Sequence, residues 1–230
     1  VQIIGSLIIL ESVFILSTCI VSFIYNEEDW IYFTGTALAT ATLGSLLLFA
    51  GKNADKNMGK REGAIIVSFT WILFSFIGLM PFWLSNSIPS FTDAFFETIS
   101  GFTTTGASIL NNIEDLSYSM LFWRSLTHWI GGMGIIVISL ALLPMFSYSN
   151  MNLFGQETTG PTKDKLHAKV SDTARRLWLI YIGLTIAEII LLRLGNMAWF
   201  DAVCNSFGTI ATGGFSTKQA SIAYWPSPYI

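Results

Sequence analysis

The chain has 230 residues, of which 52% are apolar and only 12% charged, whereas about 25% of the residues of soluble globular proteins are charged. With a mean hydropathy of +0.58, this composition excludes an ordinary soluble domain and indicates a membrane protein. The net charge of −3 tells little about partners. Cys19 and Cys204 lie far apart in apolar surroundings, which favours buried inert thiols over a disulfide or a metal site.

Five apolar runs are long enough to cross a bilayer, which requires about 20 mostly apolar residues per helix. They cover residues 3–24, 30–51, 63–84, 120–146 and 173–194. No basic segment precedes the first run and no small-residue cleavage site follows it, so we expect a membrane span there rather than a signal peptide. The sequence therefore predicts an all-α polytopic membrane protein.

Basic residues are concentrated in the loops after the second and the fourth run. They are Lys52, Lys56, Lys60 and Arg61 in one loop, and Lys163, Lys165, Lys169, Arg175 and Arg176 in the other. The opposite loops are acidic, with Glu27, Glu28 and Asp29 in the first and Glu114 and Asp115 in the next. Because basic loops remain on the cytoplasmic side, we expect a cytoplasmic N-terminus.

A short helix is predicted between the third and fourth runs, within SFTDAFFETISGF (90–102). Ser90 or Thr92 can cap its start, where Asp93 is also favourable. About ten residues at 1.5 Å each span only about 15 Å, half the hydrocarbon thickness. This length fits a re-entrant pore helix that ends at the polar segment TTTGAS (103–108).

The same pattern recurs at an offset of 108 residues, where DAFFETISGFTTTGAS (93–108) aligns without a gap with DAVCNSFGTIATGGFS (201–216). Each copy follows an apolar run, which predicts repeated units of span, pore helix, filter strand and span, the architecture of a potassium channel. A dehydrated cation needs closely spaced oxygens, and inward backbone carbonyls supply them. Pointing successive carbonyls one way needs left-handed backbone at alternate positions, which Gly106 and Gly214 reach easily.

Several motifs together resemble one family. SGFTTTGAS, HWIGGMGIIVISLALLP (128–144), ETTGPTKDKL (157–166) and TIATGGFSTKQASIAYW (209–225) are similar to the membrane subunit of the Trk/Ktr/HKT potassium transporter superfamily, most closely the bacterial TrkH type. The resemblance implies four repeats around one potassium pathway, of which this chain is the N-terminal portion. It divides the chain into an N-terminal helix pair (1–62), a first repeat (63–147), a cytoplasmic linker (148–172) and an incomplete second repeat (173–230).

The resemblance also implies the site residues. The filter strands would be Thr103, Thr104, Thr105, Gly106 and Ala107, and Ala211, Thr212, Gly213, Gly214 and Phe215, with K⁺ at Thr104, Thr105, Thr212 and Gly213. A serine at the Gly106 position accompanies sodium transport in the superfamily, so glycine favours potassium. A sodium-coupled or sodium-selective Ktr/HKT-like transporter is the alternative.

The resemblance further implies the setting of the protein. We expect potassium uptake through a multi-pass protein of the bacterial inner membrane, acting as a homodimer with a cytosolic nucleotide-binding regulatory subunit. The linker between the fourth and fifth runs would dock that subunit. Neither a cofactor nor a nucleic-acid partner is expected.

Charged residues at membrane depth leave alternatives open. Glu97 and Arg124 could pair and join the pore helix to the next span, Glu97 could concentrate cations at the mouth, or Arg124 could extend to the outer interface. Glu11 and Glu188 could each hydrogen-bond inside the bundle or accept a proton. His128 has no metal-ligand spacing around it and is interpreted as packed or interfacial.

The GGMG segment (131–134) favours close helix packing over a kink. A membrane enzyme using Asp201, Glu188 or His128 is a hypothesis from another class, but no paired constellation at fixed spacing supports it. A secondary transporter with inverted repeats is disfavoured because basic loops precede both units on the same side.

Overall fold

The computed structural model describes the backbone of residues 1–52, 60–151, 163–227 and 229–230, and the side chains of these residues except 60–62, 64 and 135–171. Eight α-helices and two short 3-10 turns make up the described part, which contains no strand. The helices are α1 (Gln2–Tyr25), α2 (Trp30–Ala50), α3 (Lys60–Gly78), α4 (Met80–Leu84), α5 (Phe91–Phe102), α6 (Tyr118–Met151), α7 (Lys163–Leu194) and α8 (Trp199–Ile210). The predicted all-α architecture is confirmed.

Four segments of the described residues are long and apolar enough to cross a membrane. They are Gln2–Tyr25, Trp30–Ala50, Ile65–Leu84 and Asp172–Leu194, which match four of the five predicted runs. The remaining run, 120–146, lies within α6, and its side chains beyond Gly134 are outside the described residues. Part of the predicted linker (148–172) is helical, since α6 ends at Met151 and α7 begins at Lys163.

The inner face of the first helix carries small and polar residues beside two isoleucines, whereas its outer face is apolar, as expected when lipid is the solvent. Its buried residues lie on one face, with a helical spacing that includes two adjacent pairs: Gly5, Ile8, Glu11, Ser12, Ile15, Thr18, Cys19 and Ser22. Large apolar side chains such as Leu16 and Ile20 are exposed on the opposite face. Small and hydroxyl-bearing residues therefore let α1 pack closely against α2 and α6.

The third predicted span is interrupted, although its sequence reads as one continuous run. A proline, Pro81, stands in the first turn of α4, and because it has no N–H it cannot continue the hydrogen bonding of α3. The chain therefore breaks at Leu79 between the two helices. The indole N–H of Trp123 on α6 donates to the carbonyl of Gly78 at this break, at 2.8 Å.

Acidic residues of the α1–α2 loop hold the start of α6. The carboxylate of Glu27 accepts hydrogen bonds from the backbone N–H groups of Tyr118 and Ser119, at 2.7 and 2.9 Å. Asp29 accepts from the hydroxyls of Ser117 and Ser119. Glu27 thus satisfies free N–H groups at the positive end of the helix dipole and Asp29 binds the adjacent hydroxyls, so both anchor the N-terminal helix pair to the first repeat.

Candidate functional site

The two short helices are structural duplicates. Helices α5 and α8 each have 12 residues, and their bounds, Phe91–Phe102 and Trp199–Ile210, differ by the 108-residue offset of the sequence repeat. The side chain of Ser90 caps α5 by accepting from the N–H of Asp93 at 3.3 Å, one of the two caps expected. The predicted pore helix is confirmed as a helix that is too short to cross a bilayer.

The segment after α5 leaves the helix in an alternating conformation. Thr103 ends the helix, and Thr104 and Gly106 then have positive φ angles of 55° and 73°. The N–H groups of Thr104 and Thr105 bond back to the carbonyls of Gly101 and Ser100, both at 3.0 Å. In the described part of the chain, no hydrogen bond reaches the carbonyl oxygens of residues 103–107.

The segment after α8 repeats this geometry. Ala211 ends the helix, and Thr212 and Gly214 have φ angles of 56° and 99°. The N–H groups of Thr212 and Gly213 bond to Thr209 and Gly208, both at 2.8 Å, which are the equivalents of the bonds in the first copy. Left-handed backbone at alternate positions was expected at the glycines, and the threonines at the other position were not anticipated.

The segments 103–107 and 211–215, predicted from sequence as filter strands and called the filter segments below, lie against each other. A Cβ placed on Gly106 would lie 1.8 Å from the carbonyl oxygen of Gly213, so no other residue fits at Gly106 without a shift of that carbonyl. At Gly214 the described residues leave the equivalent space open. Ala107 is exposed, whereas the ring of Phe215 is buried behind the second segment. The structure therefore brings the two predicted filter strands together, with the carbonyl of Gly213 directly beside Gly106.

Helix α6 packs against both filter segments with one face, on which His128, Gly131 and Gly132 lie. Gly131 lies against the end of the first pore helix, since a Cβ there would meet the carbonyl of Phe102 at 2.1 Å. Gly132 lies against the second segment, since its Cβ would be 2.9 Å from Cα of Ala211. The GGMG segment thus serves close packing, the interpretation favoured from sequence.

One turn earlier in α6, His128 is fully buried between α6 and the second filter segment. Its ring lies 4.0 Å from the ring of Phe215 and fills the space beside Gly213, where a Cβ would be 1.4 Å from Cδ2 of the histidine. Of the two interpretations of His128, the packed one is confirmed. Sequence reasoning missed this contact, although the glycine that replaces Thr105 in the second copy was a signal for it.

Glu97 of α5 and Arg124 of α6 form a buried ion pair. Nε of the arginine is 2.6 Å from Oε1 of the glutamate, and the side chains are 2% and 0% exposed. Pairing of the pore helix with the following span is therefore confirmed, and the alternative that Arg124 extends to the interface is wrong. The desolvation of two charges is tolerated because each faces the other and further hydrogen-bond partners.

The other charged candidates have separate environments. Glu11 is fully buried, and its carboxylate oxygens have no hydrogen-bond partner among the described residues. Glu188 on α7 is partly exposed, and Asp201 accepts from the hydroxyl of Thr217 at 2.6 Å. The described residues contain no group of three His, Cys, Asp or Glu side chains that could hold a metal ion.

Comparison with known proteins agrees with this geometry. The family model of the TrkH cation transport proteins matches residues 32–230. The chain is 41% identical, over its whole length and 48% of the relative's, to the Trk system potassium uptake protein TrkH of Escherichia coli (strain K12). It is 37% identical to the Trk system potassium uptake protein TrkG of the same strain, over 96% of this chain and 46% of the relative.

A solved structure shows the same fold. The crystal structure of the potassium transporter TrkH from Vibrio parahaemolyticus superposes with a TM-score of 0.85 at 35% identity, over 100% of this chain and 46% of that chain. The chain thus spans about half the length of the relatives it matches. The duplicated pore helices and the match of the family model lead to one conclusion: the chain belongs to the TrkH family of cation transport proteins.

Proposed function

We propose that residues 103–107 and 211–215 line part of a potassium pathway and select the ion through backbone carbonyls. The observation that carries this proposal is the left-handed backbone at alternate positions in both segments, at Thr104 and Gly106 and again at Thr212 and Gly214. Such alternation turns successive carbonyls toward one side, where they replace the water around a dehydrated cation. The K⁺ contacts in this proposal are carbonyls of Thr104, Thr105, Thr212 and Gly213.

The pore helices add electrostatic support to the proposal. The C-terminal ends of α5 and α8 lead directly into the two segments, so the partial negative charge of each helix dipole falls next to them. Irregular backbone at membrane depth is tolerated where it is buried in protein or lines a water-filled cavity. The helix dipoles and the irregular backbone of the two segments both favour a cation site over a simple loop.

We further propose that the full-length protein takes up potassium as the ion-translocating subunit of a Trk-type system. The relatives from Escherichia coli are potassium uptake proteins of the Trk system, which supports this proposal. In this proposal the protein lies in the bacterial inner membrane with a cytoplasmic N-terminus, because the basic loops share one side. It acts as a homodimer, and a cytosolic nucleotide-binding subunit binds the linker (148–172). The domain boundaries follow residues 62, 147 and 172, as the resemblance implies.

Rubidium uptake by the full-length protein in proteoliposomes tests the function. We expect uptake that excess K⁺ suppresses by competition and that equal Na⁺ leaves nearly unchanged. Equal suppression by Na⁺ would instead favour a sodium-transporting relative. No uptake above protein-free vesicles, from protein that is folded and correctly inserted, would contradict the proposed function.

A further inference from the structure

The ion pair of Glu97 and Arg124 lies at the junction of the two pore loops, and each partner holds a different loop. The carboxylate of Glu97 is bound on the side of the first loop. Its Oε1 accepts from the hydroxyl of Ser108 and its Oε2 from the backbone N–H of Ile109, both at 2.9 Å. The chain just beyond the first filter segment is therefore fixed to the carboxylate of its own pore helix.

Arg124 reaches the second loop with the rest of its guanidinium group. Its Nη1 donates to the carbonyl of Ser216 at 3.0 Å, while its Cζ lies 3.5 Å from the centre of the Phe215 ring. Ser216 is the repeat equivalent of Ser108, since both lie two residues after the left-handed glycine of their segment. One arginine thus connects the same position of two loops, directly to the second and through Glu97 to the first.

The second repeat has no equivalent of this carboxylate. The position of Glu97 is occupied there by Asn205, whose amide donates to the carbonyl of Asp201 at 2.8 Å. Asp201 in turn accepts from Thr217 within the same loop. The two loops are therefore not held by two copies of one contact. Arg124 connects them just beyond the filter segments, and Gln219 connects them farther out, where it accepts from the N–H of Ile113 at 3.3 Å and donates its own N–H to Glu114 at 3.1 Å.

We propose that Arg124 is a positioning residue that sets the distance between the two filter segments at their outer ends, and so sets ion selectivity. This inference rests on the proposed function. Selectivity by a carbonyl cage depends on the placement and number of the oxygens around the ion. The carbonyl of Gly213 lies directly beside Gly106, so a change in the separation of the loops displaces that carbonyl.

Stability alone is a weak explanation for this pair. A buried ion pair has a large desolvation cost, and well-packed apolar residues of similar volume are often equally stabilising. A planar guanidinium, by contrast, offers a rigid fork of donors that fixes the direction of several partners at once. Lysine carries the same charge without that fork, so replacing Arg124 with lysine tests the positioning role separately from the charge.

The test uses three variants of the full-length protein. Arg124→Lys keeps the charge and loses the fork, and the double variant Glu97→Gln/Arg124→Met removes both charges so that neither is left buried and unpaired. Arg193→Lys is the matched control, since Arg193 also donates to a carbonyl, that of Met197 at 3.3 Å, and lies over a ring, that of Trp199, at 5.6 Å. The readouts are the ratio of rubidium to sodium uptake and the melting temperature of the purified protein.

We expect Arg124→Lys to lower the uptake ratio by about tenfold, which corresponds to a change of about 1.4 kcal/mol in the relative free energies of the two ions in the pathway. The double variant should melt near the wild type and still have a low ratio, and Arg193→Lys should have the wild-type ratio. A wild-type ratio in folded Arg124→Lys or in the double variant would overturn the inference. If neither Arg124→Lys nor the double variant folds, the ion pair is needed for stability, and this result would also overturn the inference. A wild type without rubidium preference would contradict the proposed function instead.

Discussion

Thr104 and Thr212 share one left-handed backbone conformation, with φ angles of 55° and 56°, although 108 residues separate them. A β-branched residue is unfavourable there by about 1–2 kcal/mol, because its Cβ crowds the neighbouring carbonyl. In both copies the strained residue is held by its N–H, which bonds to the third residue before it in the chain. Strain that recurs at equivalent positions indicates a functional constraint on the direction of the carbonyls.

If backbone carbonyls rather than hydroxyls bind the ion, removing the threonine hydroxyl should have little effect. Thr104→Val keeps the shape of the side chain, and we expect it to change selectivity and stability by less than about 0.5 kcal/mol. Thr104→Pro should abolish uptake, because proline holds φ near about −65° and cannot donate to Gly101. Rubidium and sodium uptake of the two variants measure this, and loss of selectivity in Thr104→Val would count against a carbonyl filter.

Substitutions at Gly213 and His128 should have coupled effects on stability and uptake, because the histidine ring fills the space beside the glycine. Gly213→Thr introduces the residue of the first copy and places its Cβ where the histidine ring lies, so we expect a loss of about 1–3 kcal/mol in stability and loss of uptake. Adding His128→Ala should recover part of both, because it removes the ring. Thermal melting and rubidium uptake of the single and double variants measure the coupling. Additive losses in the double variant would show that the contact is not decisive.

Replacing a glycine of α6 with alanine should cost more stability where there is less space around that glycine. Gly131→Ala forces a methyl group to 2.1 Å from a backbone carbonyl, so its cost should reach about 2 kcal/mol or more. Among the described residues, the new methyl group of Gly134→Ala meets only the ring of Trp71, at 3.1 Å, so this variant should be milder. Gly183→Ala on α7 is the control, since the described residues leave its space open. Melting temperatures of the purified variants give the order, and a Gly131→Ala protein as stable as the control would contradict it.

Glu27 is one of two carboxylates that connect the N-terminal helix pair to the start of α6. Glu27→Gln leaves one oxygen to accept from the two N–H groups at the start of α6 and removes the charge, so we expect a loss of about 1 kcal/mol. Glu28→Gln is the control, because Glu28 is exposed and makes no side-chain hydrogen bond in the described structure. Denaturation at several salt concentrations measures both variants. Equal stabilities would show that Glu27 does not anchor the helix.

Much of the architecture could be predicted because it depends on local pattern. Apolar runs of about 20 residues predict spans in lipid, and the gapless repeat located both pore helices and the left-handed glycines. The interruption at Leu79 was missed because hydropathy does not register backbone hydrogen bonds, although Pro81 was present in the sequence as a signal.

The contacts between the two repeats could not be predicted, because they depend on how α6 packs against both pore loops. Sequence placed Arg124 near Glu97 as one of three alternatives and gave no indication of its bond to Ser216. Nor did it indicate that a histidine ring fills the space beside Gly213. Both contacts join residues that are more than 80 positions apart, and the single sequence has no periodicity that links them.

In the proposed pathway, carbonyls placed around Gly106 select potassium. The most direct measurement is the ratio of rubidium to sodium uptake for Gly106→Ser in the full-length protein, with Gly183→Ser as control. We predict that Gly106→Ser lowers the ratio, because its Cβ displaces the carbonyl of Gly213 and strains a backbone with φ of 73°. An unchanged ratio, from protein present in the membrane at the wild-type level, would contradict the claim.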